Sequence, residues 1–233
     1  MDSVRVGISS CLLGERVRYD GGHKRDRFLT EELGRQVEFV PLCPEVEIGL
    51  GVPRPTLHLE RRRGEVRMLV TDSGEDLTGR MRAWAAGAAE RIAAADLDGY
   101  VLKRSSPSCG MERVKLYDED GSPAAVGRGL FATALIERLP LLPVEEEGRL
   151  REARRREHFV TRLFAHARVR SFLASGWGAG ELAAFHSAEQ TLVHAHDPAL
   201  ALELGRLVAS APERDRDDLA ARYAALHARA LAH

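Results

Sequence analysis

Residues 4–14 read Val-Arg-Val-Gly-Ile-Ser-Ser-Cys-Leu-Leu-Gly. The first six are rich in β-branched residues and stop in a serine pair, which predicts a short strand running into a turn. Runs of the same kind recur at Val37–Leu42, Val66–Val70 and Gly99–Lys103, with Val114–Tyr117 as a shorter one before the Asp120-Gly121 turn. Pro41 is expected to end the second run. Between the third and fourth runs the spacing predicts a helix that Asp76 caps, with Met81, Trp84 and Ile92 on its apolar face. A second helix is expected from about Arg128 to Glu137, stopping near Pro140. Strands alternating with helices imply a layered α/β domain with a largely parallel, Rossmann-like sheet.

Beyond Pro143 the pattern changes. Glu145–Arg156 (EEEGRLREARRR) is strongly charged, and four helices are expected after it, at 151–174, 179–196, 198–210 and 213–232. The breaks are Gly176 and Gly178, Asp197-Pro198 and Ala211-Pro212. Leu200, Leu202, Leu204, Leu207 and Val208 supply an apolar bundle face. Two domains follow: residues 1–145 as the α/β part and 150–233 as an all-α part, with the boundary at 145–150.

The chain has 233 residues, 44% of them hydrophobic, enough for a core without disulfides. A net charge of −1 argues against coating nucleic acid by bulk electrostatics. No stretch reaches the roughly 20 apolar residues that span a bilayer. The segment Met1–Leu13 carries Asp2 and Arg5 and reads as a first strand instead of a secretion signal, so the expected compartment is the cytoplasm, with no membrane partner.

The cysteines number three: Cys11, Cys43 and Cys109. Each falls just past the carboxyl end of an expected strand, the edge at which open α/β sheets bind ligands. Their surroundings are shaped loops: Ser9-Ser10-Cys11-Leu12-Leu13-Gly14 with Arg18-Tyr19-Asp20-Gly21; Cys43-Pro44-Glu45 with Gly49-Leu50 and Pro53-Arg54; and Lys103-Arg104-Ser105-Ser106-Pro107-Ser108-Cys109-Gly110. Three thiolates without a fourth leave one coordination position open, as catalytic metal sites do. Buried apolar filling is the competing explanation, because lone cysteines are among the most buried residues. On spacing alone, with no C-x-x-C pair, filling is the stronger explanation.

Taken together in this order, the three loops resemble the thiouracil desulfidase (TudS-like) family. The resemblance spans roughly residues 4–143 and includes Gly79-Arg80-Met81 and Gly127-Arg128-Gly129-Leu130-Phe131. It implies a [4Fe-4S] cluster on Cys11, Cys43 and Cys109, with one iron not ligated by protein. The implied substrate is a small thiolated base or nucleoside, or the same base within tRNA. The implied reaction is hydrolytic and not redox: iron polarises the C–S bond as a Lewis acid, water attacks carbon and sulfide leaves. Glu45 is then the candidate general base and Ser105 the residue that orients the water or the base ring. Ser106 and Ser108 are further substrate contacts, and Lys103 and Arg54 candidate holders of an anionic group.

The remainder resembles the YbgA-like helical domain, through His158-Phe159, Arg162-Leu163-Phe164, Phe185-His186, His194-Ala195-His196 and Leu204-Gly205-Arg206-Leu207-Val208. That domain usually continues further, and a lysine expected soon after Phe185-His186 is absent, so this copy is read as shortened. His186, His194 and His196 are assigned to packing or capping, since 194 and 196 lack the i, i+4 spacing of a helical metal pair. The arginines at 151, 154, 155 and 156 read as a solvated face, and Trp84 and Trp177 as packing residues. The rival function is non-enzymatic: a cluster-binding redox sensor or protein-interaction module, indifferent to loss of Glu45.

Overall fold

The structure is a computed structural model that describes residues 3–232. The α/β part runs β1 (Arg5–Ser9), β2 (Glu38–Leu42), α1 (Pro44–Glu47), β3 (Leu57–Arg62), β4 (Glu65–Val70) and α2 (Thr78–Ala93). It continues with β5 (Gly99–Leu102), β6 (Val114–Asp118), β7 (Pro123–Gly127), α3 (Leu130–Arg138) and β8 (Val144–Glu146).

Four of these strands form a parallel sheet in the order β2-β1-β5-β8. The central strands β1 and β5 are apolar and buried on both faces, as a parallel sheet covered on both sides requires. Pro41 does not end β2. It pairs in register with Ile8, because β2 is an edge strand and tolerates a residue without an N–H. Gly7 lies opposite Tyr100, and a Cβ there would sit 2.3 Å from two carbons of the tyrosine ring. Only glycine lets that ring cross β1.

The other strands make a second, mixed sheet in the order β4-β3-β6-β7. Val66–Val70 and Val114–Tyr117 thus belong to this sheet and not to the parallel one. β3, which the sequence did not reveal, forms a hairpin with β4 through Arg63-Gly64, both at positive φ. The Asp120-Gly121 turn joins β6 to β7, with Gly121 at φ 81°. Leu59, Met68, Val114 and Leu116 of this sheet pack with Met81 of α2 in one core. The start of α2 is fixed by Asp76, whose Oδ1 accepts from Thr78 N at 2.8 Å.

Four long helices complete the chain: α4 (Ala153–Leu173), α5 (Ala179–His196), α6 (Pro198–Ala209) and α7 (Arg216–Ala230). The break at Asp197-Pro198 falls where expected, while the last helix begins at Arg216 instead of 213, because Ala211–Glu213 forms a 3-10 turn of its own. Asp197 Oδ1 accepts from Ala199 N and Leu200 N at 2.9 Å, with Pro198 in the first turn of α6. Asp215 caps α7 in the same manner at 3.0 Å. Leu204, Leu207 and Val208 are buried against Tyr223, whereas Leu202 is 58% exposed. A residue two positions off the i, i+3, i+4 stripe faces away from the core. Trp177 is a packing residue as expected, with its Nε1 donating to Leu173 O at 3.2 Å, and Trp84 packs on Phe131.

By internal contacts the chain divides into two compact units, Ser3–Pro140 with Val144–Phe159, and Leu141–Pro143 with the chain from Val160 onward. The expected boundary at 145–150 falls inside the first unit, because the acidic run beginning at Glu145 supplies β8. Among the described residues no helix is long and apolar enough to cross a membrane.

Candidate functional site

Cys11 lies in the single 3-10 turn Ser10–Leu13 that leaves β1, closed by Gly14 at φ 101°. Cys43 follows β2 directly and precedes α1, its carbonyl accepting from Glu47 N at 3.0 Å. Cys109 closes the loop after β5, where Gly110 N donates to Ser106 O at 2.8 Å and Cys109 N to Ser106 Oγ at 3.1 Å. The start of α3 braces this loop, with Phe131 N and Ala132 N both donating to Ser108 O at 3.0 Å. Gly129 permits the approach, since a Cβ there would lie 2.4 Å from that carbonyl. The carboxyl edge of the parallel sheet therefore gathers all three cysteines.

They line one cavity of about 420 Å³, together with Glu45, Arg54, Lys103, Ser105 and Ser106. Ser108 is buried behind its wall. The three thiols form no disulfide. Burial pushes the Cys11 thiol up to about 11 against the opposing charge of Lys103. Burial and then the Glu45 carboxylate push Cys43 up to about 12. Burial and then Glu45 hold Cys109 well above the usual thiol range. Such thiols keep their protons at neutral pH until a cation takes the proton's place on sulfur.

The chemistry of the donors fits a soft, iron-containing group. Among the described residues no three His, Cys, Asp or Glu side chains are gathered tightly enough for a single metal ion. The three thiols that line the cavity are the soft donors such a group takes. A second observation agrees. The Tyr100 hydroxyl is buried without a hydrogen-bond partner. Burial raises its pKa, and the charges of Cys109 and Cys43 act in the same direction, so it stands near both. An orphaned buried hydroxyl costs about 1–3 kcal/mol, which an acceptor sulfur in the cavity would relieve.

Glu45 is the centre of the polar wall and only 9% exposed. Its Oε1 accepts from Ser106 Oγ at 3.3 Å and, in a short contact, from Ser108 Oγ. Its Oε2 accepts from the Cys43 thiol at 3.4 Å and lies 3.8 Å from Arg54 Nη2. Arg54 also donates to Val17 O at 2.9 Å and Gly51 O at 3.0 Å, so its guanidinium serves the wall of the cavity. Lys103 Nζ is likewise engaged, 2.6 Å from Glu147 Oε1. Ser105 stands exposed at the rim in left-handed backbone, φ 59°.

Sequence reasoning missed three residues here. Ser9 Oγ accepts from Lys103 N at 3.0 Å and its hydrogen bond to Cys109 eases that thiol downward. Its signal was present in the Ser-Ser-Cys run. Glu146 and Glu147 carried no such signal, because a charged triplet reads as a solvated surface.

The parallel α/β architecture puts three free thiols at the carboxyl edge of its sheet, the edge at which such folds bind ligands. The chain belongs to the 2-thiouracil desulfurase family, which it matches over residues 6–147. Among solved structures it is similar to the [4Fe-4S]-dependent thiouracil desulfidase TudS, at 35% identity and a TM-score of 0.50. That similarity covers 64% of this chain and 94% of the other. It is also 34% identical over 111 residues to YbbK of Bacillus subtilis (strain 168), a protein described as uncharacterized. The match takes in 44% of this chain and 71% of that protein.

Proposed function

We propose that this chain holds a [4Fe-4S] cluster on Cys11, Cys43 and Cys109, with one iron free of protein ligands, and removes sulfur from a thiouracil-like base by hydrolysis. The base is taken free, as a nucleoside or within tRNA, the reaction is not redox, and the compartment is the cytoplasm. The observation that carries the reading is the convergence of three free thiols and the Glu45 carboxylate on one cavity. When bound, the cluster supplies a Lewis-acidic iron with affinity for sulfur.

Glu45 acts as the general base, accepting a proton from water as oxygen adds to the carbon that carried sulfur. The overall balance is thiocarbonyl plus water giving carbonyl plus hydrogen sulfide. In the thiol state one of its oxygens is occupied by the Cys43 S–H. Were Cys43 to ligate the group, it would give up that proton and free Oε2, which lies beside Arg54. Ser106 and Ser108 hold Oε1 in place through their hydroxyls, and Arg54 stands 3.8 Å from Oε2 as its counter-charge. Ser105, at the rim, is positioned to orient the base ring. The helical part, from about residue 150, carries the YbgA-like resemblance and is the place for additional contacts to tRNA.

The test is anaerobic reconstitution of wild type beside Cys11→Ala, Cys43→Ala and Cys109→Ala, followed by assay with 2-thiouracil and 4-thiouracil. Iron and sulfide in equal amounts, lost in each variant, with free sulfide released only by wild type, would support the reading. Wild type that binds no iron under these conditions would sink it.

A further inference from the structure

The acidic triplet Glu145–Glu147 is buried, and its carboxylates reach the two ends of the Cys109 loop. Glu146 is 5% and Glu147 7% exposed. At the near end, Glu147 Oε1 takes the Lys103 ammonium at 2.6 Å, and Oε2 accepts from Arg104 N at 2.7 Å. At the far end, Glu146 Oε1 accepts from Met111 N at 2.6 Å and from Glu112 N at 3.3 Å. Glu145 fixes the next turn, with Arg149 Nε 2.8 Å from its Oε1, while Arg149 also pairs with Glu112.

We propose that Glu146 and Glu147 are positioning residues that clamp residues 103–112 from both ends and so hold Cys109 and the serines beside Glu45. Three buried carboxylates on adjacent positions are costly unless each is satisfied. Here Glu146 and Glu147 are satisfied by the loop whose shape the site depends on, and Glu145 by Arg149 and the Glu146 N–H. β8 pairs with β5 in parallel register, Leu102 opposite Glu146, so the clamp is anchored on the strand that launches the loop. The inference takes the proposed site as its frame, but its test needs neither cluster nor turnover.

The two carboxylates differ in what they demand. Glu146 only accepts from N–H groups, which the amide oxygen of glutamine also does. Glu147 faces donors with both oxygens, so glutamine must turn its own NH₂ towards the Lys103 ammonium or the Arg104 N–H. The experiment is alkylation of the cluster-free, reduced protein, with the rate at each cysteine read by peptide mass spectrometry. Glu147→Gln and Glu146→Ala are expected to raise the Cys109 rate by about tenfold or more, the loss of a charge-assisted bond. Glu146→Gln should stay within about threefold of wild type, and Cys43 within about twofold in every variant. An unchanged Cys109 rate in both Glu147→Gln and Glu146→Ala would overturn the clamp. So would an equal rise at all three cysteines, which marks general loosening. Wild type inactive on thiouracil would remove the proposed function and leave this result standing.

Discussion

Replacing Glu45 by glutamine removes a proton acceptor while keeping the volume and one oxygen for Ser106 and Ser108. The stability cost is set by Arg54, 3.8 Å away, which loses its counter-charge but keeps the carbonyls of Val17 and Gly51. A loss of about 1–2 kcal/mol, or about 2–8 °C in Tm, is expected. Turnover should fall far more, by about 10²–10⁴-fold, the usual contribution of a positioned general base. The assay pairs sulfide release from thiouracil with iron and sulfide analysis of the same reconstituted sample. A full cluster with turnover within about tenfold of wild type would refute the role of Glu45 as base. A variant that binds no iron would show instead that Glu45 supports the thiols.

Tyr100→Phe should act with opposite sign in the two states. Without the cluster it removes an unsatisfied buried hydroxyl and should leave Tm unchanged or raise it. With the cluster it removes a donor and should speed the loss of iron to a chelator, followed by absorbance. Gly7→Ala drives a methyl group to 2.3 Å from the Tyr100 ring. It should destabilise the α/β unit by about 1–3 kcal/mol or more in urea denaturation. In the helical unit, burial alone would push the Glu189 carboxyl up, but hydrogen bonds from His227 and Arg168 hold it at about 2 against an ordinary 4.5. A depressed folded pKa contributes stability that is present above pH 4.5 and is lost as pH falls towards 2, on the order of 3 kcal/mol. Acid titration monitored by circular dichroism should show this loss, and Glu189→Gln should flatten it.

The loops that carry the three cysteines were legible because their signals are local. A β-branched run stopping at Ser9-Ser10 and the Ser-Ser-Pro-Ser-Cys-Gly turn each state where a strand ends, whereas Pro41 pointed to an end of β2 that the pairing with β1 overrides. Strand ends are where an α/β sheet puts ligands. The helix limit at Asp197-Pro198 was equally local, its cap being a side chain bonding two and three residues ahead. The partners of those residues were not legible. Glu146 and Glu147 look like a solvated run until β8 pairs with β5 and carries them beneath the Cys109 loop. Lys103 and Arg54 read as free cations until Glu147 and Glu45 arrive from distant parts of the chain. Leu57–Arg62, followed by Arg63-Gly64, became a strand only because β4 and β6 flank it. Backbone preference and capping are decided within a few residues, and the sequence by itself determined them. Whether a charge is buried, and what satisfies it there, depends on strand order, which only the tertiary structure decided.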